Sequence, residues 1–477
     1  MAMVSVLAGI VPPVVVAVLH WYLWRRLVRD TMLPRTFGRW FGGALLTLGA
    51  VLMTTALGLM LAGASWGAIR FLMWPGLLWT AVFLYLLIGV LIGEVVRPLL
   101  LRSLSRRDAD TVAAAASPSA PAAAAPGAVT PVPAAGRGTT VPAPTVEPAG
   151  VAVAAGDPMS EASDSSAAHA PAGTVGAGEQ SDEIDGGQPS SNVPRSDEWT
   201  GISRRMFVSR LAAGATVAAA VATVGLGTRG VLNGPLVRRV TVPLTKLPAT
   251  AHRFRITLVS DLHLGPVLGG EFCEMVVRAV NDTAPDLIAV VGDLTDGTVA
   301  DLRDEVAPLA GLRARLGIFA VPGNHEYYSD ADAWMAYIAD ELGMRVLLNS
   351  RVELPDFDLA GVDDIEGEKL GRGPDFTAAL AGRDTSRACV LLAHQPRLVH
   401  DAVDHEVDLQ LSGHTHGGQL WPGNFIAALA NPTLAGLEHY GATQLYVSRG
   451  AGAWGPPVRV AAPSDITVLE LASPQGI

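Results

Sequence analysis

A chain of 477 residues is too long for one ordinary domain, and a 49% hydrophobic share beside only 17% charged residues is too apolar for a wholly soluble protein. The formal net charge of −11, with no basic stripe in the second half, argues against a nucleic-acid surface. The two cysteines, Cys273 and Cys389, give neither a disulfide framework nor a metal-type spacing, and both read as small buried hydrophobes.

The apolar excess is concentrated at the start. Residues 1–104 read as a membrane region with three helices, over residues 4–24, 41–64 and 71–92, each long enough to cross ~30 Å of hydrocarbon. His20 and Glu94 lie near the ends of these spans and read as interfacial residues. Residues 105–200 are a different material, rich in Ala, Pro, Gly and Ser and without a sustained helical or strand period. Such a segment buries too little apolar surface to offset its chain entropy and reads as a disordered linker.

Residues 201–230 combine a basic flank, Arg204-Arg205 before Phe207, with an apolar run over 208–227. The arginine pair resembles a twin-arginine export signal, but Ser209 stands where that pattern carries Lys, and no small-x-small cleavage site follows. A fourth membrane helix is therefore expected. Arg25, Arg26, Arg29, Arg35 and Arg39 crowd the first loop, whereas the second holds only Arg70. The positive-inside rule then puts the first loop and the linker inside, and everything after the fourth helix outside.

From residue 240 onward, short buried-type strands each end in chemistry-bearing residues. The run 256–260 leads into Asp261-Leu262-His263, and 287–291 leads into Gly292-Asp293-Leu294-Thr295-Asp296. The run 318–321 ends in Pro322-Gly323-Asn324-His325-Glu326, and 390–393 ends in His394-Gln395-Pro396. The last, 407–411, runs into Gly413-His414-Thr415-His416-Gly417-Gly418-Gln419. Sheets of α/β proteins place ligand sites at the carboxyl ends of strands, so five such ends point to one shared site.

In this order, Asp-x-His, Gly-Asp-x-x-Asp, Gly-Asn-His-Glu, a lone His and Gly-His-x-His resemble the calcineurin-like metallophosphoesterase superfamily. The Val447-Ser448-Arg449-Gly450 that follows resembles its bacterial membrane-attached, YkuE-type branch. The resemblance covers residues 240–472. It implies an α/β domain, a four-layer sandwich of two mixed β-sheets packed together with helices outside. It also implies two divalent metal ions, of Mn, Fe or Zn type for a nitrogen and oxygen ligand set without thiolate. Asp293 would bridge; Asp261, His263 and His416 would complete one site, and Asn324, His394 and His414 the other.

Two such ions, roughly 3.5–4 Å apart, supply an activated hydroxide and compensate charge on a phosphoryl group. His325 would protonate the leaving group or stabilise the transition state, with Asp296 orienting it. Arg449 would meet substrate phosphate or form a structural ion pair. The expected activity is hydrolysis of a phosphodiester or pyrophosphate at the extracytoplasmic face of a bacterial cytoplasmic (inner) membrane. A lipid-linked substrate is the expectation from membrane attachment and family analogy. Trp421, Phe425, Leu434 and Leu437 read either as core or as an apolar entrance for an acyl chain. The rival is a non-enzymatic membrane module with a structural or sensory metal domain.

Overall fold

The computed structural model describes residues 2–61, 66–115 and 204–475. Four long helices come first: α1 (Ala2–Leu23), α2 (Phe37–Leu61), α3 (Trp66–Ala115) and α4 (Arg204–Leu232). Among the described residues, three stretches are long and apolar enough to cross a membrane, Phe37–Met60, Arg70–Ser103 and Arg205–Leu232. Two helix ends run well past the sequence boundaries. A π-helical turn over Trp24–Arg29 prolongs α1, and α3 runs on through Pro98 to Ala115, where strong helix formers follow the proline. The helix therefore enters the expected linker, the rest of which, with the start of the 201–230 segment, lies outside the described residues. Glu94 is paired rather than merely interfacial: Arg26 reaches its carboxylate at 2.6 Å, and the Tyr22 hydroxyl donates to it at 3.1 Å.

The remainder builds two six-stranded sheets. In chain order the elements are β1 (Leu236–Pro243), β2 (Phe254–Val259), α5 (Gly270–Asp282), β3 (Leu287–Val291), α6 (Val299–Val306), β4 (Ile318–Val321), α7 (Asn324–Ser329), α8 (Ala331–Asp340) and β5 (Arg345–Val346). There follow β6 (Ser350–Glu353), β7 (Asp358–Gly361), α9 (Phe376–Leu380), β8 (Cys389–Leu392), α10 (Val399–Asp404), β9 (Leu409–Ser412), α11 (Gly423–Ala430), β10 (Gly436–Tyr440), β11 (Thr443–Val447) and β12 (Asp465–Ala472). The sheet orders are β1-β12-β2-β3-β4-β5 and β10-β11-β9-β8-β7-β6.

Both sheets are mixed, as expected, and their centres are parallel. β2, β3 and β4 run together, with Ile256 opposite Leu287 and Ile288 opposite Ile318; β7, β8 and β9 do the same in the second sheet. Strands buried on both faces are continuously apolar rather than alternating. Every residue of β3, Leu-Ile-Ala-Val-Val, is accordingly buried. The facing sheets share one core, in which Phe357 is fully buried and meets Phe254 edge to face at 5.1 Å. A second core lies outside the first sheet. There α5 presents Phe272, Cys273, Val276, Val277 and Val280, the spacing of one helical face. Cys273 and Cys389 are buried and free, as expected.

The long helices pack on this domain within one compact unit, residues 1–109 with 202–477. Val458 joins the helix core beside Leu23, Leu86, Ala220 and Val224, and the Tyr85 hydroxyl donates to the Trp421 carbonyl at 2.9 Å. Val267 packs on Ala56, Met73 and Leu77.

Truncating Phe357 to Ala removes the ring that fills the space between the sheets. The expected cost is ~3–5 kcal/mol, seen as a lowered unfolding midpoint of the full chain. A loss below ~1 kcal/mol would place the principal core elsewhere.

Candidate metal centre

Because the central strands are parallel, their carboxyl ends lie on one edge of the two-sheet stack. β2 delivers Asp261 and His263, β3 delivers Asp293 and Asp296, and β4 delivers Asn324 and His325. β8 and β9 add His394 and the His414–His416 turn from the other sheet. The backbone there is unusual. Asp261, His263, Asp293, His414 and His416 all have left-handed φ, between 47° and 71°. Side chains rarely adopt this conformation, and strain of this kind collects at functional sites. Gly413 cannot be replaced by a larger residue, since a Cβ there would collide with Ser260 and the Asp261 carboxylate.

Two donor sets result. Asp261, His263 and His416 hold their ligand atoms within 4.8 Å of one another, with His263 Nε2 and His416 Nε2 facing at 3.0 Å. Asp293, His394 and His414 form the second set, with His394 Nε2 3.2 Å from His414 Nδ1 and 3.2 Å from Asn324 Oδ1. The sets meet on Asp293, whose Oδ2 lies 3.2 Å from His394 Nε2 and 3.7 Å from His263 Nε2. All seven expected ligands are thus brought together.

The donor chemistry fits a pair of cations. Facing imidazole nitrogens at 3.0–3.2 Å repel unless a proton or a cation lies between them. His394 Nδ1 is fixed by the Val291 carbonyl at 2.7 Å, and His263 Nδ1 by Asp296 Oδ1 at 2.7 Å, which turns each Nε2 toward the cluster. Burial and the charge on His394 push the His414 imidazole down to about 3; burial, with the charges of His263 and Arg459, holds His416 well below the usual range. Both are neutral, as ligands must be. Burial opposes ionisation of Asp293, but His394, His325 and His263 outweigh it and hold the carboxyl well below its ordinary range. At His394 burial is likewise outweighed, by Asp293, Asp261 and Asp364, so that proton affinity rises well above normal. The attraction those carboxylates exert on a proton is the one they would exert on a metal ion.

Asp296 has two partners. Its Oδ1 lies 2.7 Å from His263 Nδ1 and 2.7 Å from His325 Nδ1, and the two imidazoles outweigh burial and hold the carboxyl far below normal. Burial alone would lower His325, yet the hydrogen bond and charge of Asp296, with Asp293 and Glu326, raise it to about 9. At 13% side-chain exposure His325 is the more open of the pair, rimmed by Tyr328 and Trp454, while His263 is sealed.

Glu326, the last residue of the Gly-Asn-His-Glu run, has a definite task. It accepts the backbone N–H of Asp293 (3.0 Å), Leu294 (2.8 Å) and Gly323 (2.7 Å), tying the β3 and β4 loops together. Burial and the Asp293 charge push its carboxyl up to about 7. Arg449 takes the ion-pair alternative, reaching Asp465 at 3.1 Å.

Two residues escaped the sequence reading. Arg459 is buried and donates to the carbonyls of His416, Arg449, Gly450, Gly452 and Ala462, with Nη2 3.1 Å from His416 Nδ1. Gln419 clamps the Trp454 backbone on both sides, donating to its carbonyl at 2.8 Å and accepting from its N–H at 3.0 Å. Gln419 closes the histidine motif and was visible there as an unassigned residue; Arg459 lies in no motif and carried no signal.

Replacing Glu326 by Ala strands three buried N–H groups, at about 1–3 kcal/mol each. The variant is expected to lose several kcal/mol of stability and to bind metal more weakly, whereas Glu326→Gln, which keeps an acceptor, should lose less. Equal losses, measured by thermal unfolding and metal analysis, would show that the straps do not hold the loops.

Residues 254–418 match the family model for calcineurin-like phosphoesterases. A transmembrane protein with metallophosphoesterase domain from Danio rerio is 39% identical over 276 residues, covering 54% of this chain but only 62% of that protein's length. A metallophosphoesterase of Aquifex aeolicus is 38% identical over 240 residues, 49% of this chain and 91% of the relative. YkuE of Bacillus subtilis, also a metallophosphoesterase, is 29% identical over 286 residues, 57% of this chain and 98% of the relative. Similarity at this level, over nearly the whole of the Aquifex protein and over the residues that build the two donor sets, means that the chain belongs to the calcineurin-like metallophosphoesterases.

Proposed function

We propose that this chain is a membrane-anchored, binuclear metal-dependent phosphoesterase that hydrolyses a phosphodiester or pyrophosphate bond. The observation that carries the reading is the position of Asp293, whose single oxygen faces both donor sets. Asp261, His263 and His416 would hold one ion, Asn324, His394 and His414 the other, with Asp293 between them. A set of nitrogen and oxygen donors without thiolate suits Mn, Fe or Zn better than Mg or Ca. When bound, such ions supply nucleophile activation and charge compensation for the phosphoryl group.

The protein's own groups do the rest. His325, raised to about 9, carries its proton at neutral pH, with Nδ1 committed to Asp296. Its Nε2, which makes no hydrogen bond among the described residues, is the atom assigned to the leaving-group oxygen, as proton donor or as charge stabiliser. Asp296 sets the orientation of both His325 and His263, so proton donor and ligand keep a common register. Asp465 already engages Arg449, so any contact of Arg449 with substrate would be shared with that ion pair. Three apolar helices of spanning length support anchoring in the cytoplasmic membrane. Arginine asymmetry between the loops supports a multi-pass arrangement with the domain on the outer side, where a lipid-linked phosphate would be within reach.

Reconstituted with Mn, the full chain is expected to hydrolyse bis-p-nitrophenyl phosphate, and Asp293→Asn should abolish that turnover without unfolding the protein. His325→Ala should keep its metals while the rate falls by on the order of 10²–10⁴. Loss of metal from that variant would overturn the division of roles, and silence of the parent chain with every divalent ion would favour a non-enzymatic module. Protease added to intact spheroplasts should remove the domain; full protection would reverse the orientation.

A further inference from the structure

The turn that carries His414 and His416 continues directly into α11, and α11 is built unlike the rest of the domain. None of its residues is buried. Phe425 is 65% exposed, Ile426 74% and Leu429 88%, and Trp421, just before the helix, is 45% exposed. No charged residue occurs between His416 and Glu438. Large apolar side chains lined up on one uncharged segment mark an interaction surface rather than ordinary surface scatter.

The position of this segment says what covers it. The Trp421 carbonyl accepts the Tyr85 hydroxyl of α3, and Leu420 and Val460 pack on the core formed by the long apolar helices. α11 therefore follows directly on a segment that packs against α3, a helix of spanning length. Trp at the entrance of a short uncharged helix suits the headgroup boundary, and Phe, Ile and Leu along its length suit the adjoining hydrocarbon.

We propose that α11 is an in-plane membrane helix, whose Phe425, Ile426 and Leu429 sink into the leaflet through which α3 passes. The inference rests on the proposed membrane anchoring. Its consequence is positional: the helix leaves from the same turn as two metal-site histidines, so its insertion holds the mouth of the metal centre at headgroup level. Phosphate esters carried by lipids present their phosphates at that depth.

The test uses the full chain in vesicles of phosphatidylethanolamine and phosphatidylglycerol. An environment-sensitive fluorophore is attached at Leu429→Cys, at Leu48→Cys in α2, or at Glu353→Cys. Leu429 and Leu48 lie on the protein's outer surface, so labelling disturbs no packing, and the native Cys273 and Cys389 are buried. Glu353 lies opposite Asp358, at the start of β7 and so at the edge away from the metals.

The label at 429 is expected to behave like that at 48, with blue-shifted emission, loss of iodide quenching and strong quenching by nitroxide-bearing lipids, while the label at 353 stays open to iodide. Iodide quenching at 429 equal to that at 353, with 48 still in lipid, would overturn the inference and leave the anchoring intact. Protection at 429 without quenching by nitroxide lipids would assign the helix to a second copy of the chain and likewise overturn it. Iodide access at both 48 and 429 would remove the anchoring and this inference together. None of these readouts depends on turnover, so they separate from any failure of the phosphoesterase reading.

Discussion

The constraint on which the molecule depends is the shared carboxylate of Asp293. One oxygen, buried among three histidines, faces two donor sets, each drawn from both sheets. That requirement dictates the parallel centre of each sheet, since only strands running the same way bring five loops to one edge. It also dictates the close approach of those loops, in which Gly292 and Gly323 lie so near one another that a side chain on either would strike the other loop.

Holding so many polar groups in a dry site demands compensation, and the molecule supplies it in layers. The left-handed ligand positions are conformations that an isolated chain would leave. Glu326 restrains the β3 and β4 loops through three N–H groups, Arg459 gathers the carbonyls around His416, and Asp296 fixes two imidazoles at once. Removing any one of these leaves buried donors or charges without partners, which costs far more than a surface contact of the same kind. The donor side chains are consequently held by neighbours on several sides, whereas the rim residues Tyr328 and Trp454 stand open to solvent.

The apolar helices are not merely strung ahead of the domain. Val458, Leu420 and Val460 enter the helix core, and a Cβ on Gly227 would press against the Arg459 carbonyl. Arg459 in turn holds His416, so one residue links helix α4 to a histidine of the first donor set. The two donor sets and the long apolar helices thus share a wall.

Much of this was legible in the sequence for a definite reason. Buried parallel strands are uninterrupted runs of Val, Ile, Leu and Ala, and the residues that leave their carboxyl ends are fixed by chemistry, so Asp261, Asp293, Asn324, His394 and His414 announced themselves by position alone. The apolar helices were equally plain, because a span needs length and lacks charge. Only the tertiary structure decided the rest. The weakly patterned edge strands β1, β6 and β10 form because a neighbour supplies their hydrogen bonds, and Arg459 matters only because folding brings five backbone carbonyls around it. Phe425, which looked like core or like an entrance in the sequence, is exposed, because exposure depends on what folds against a side chain and α11 buries none of its residues.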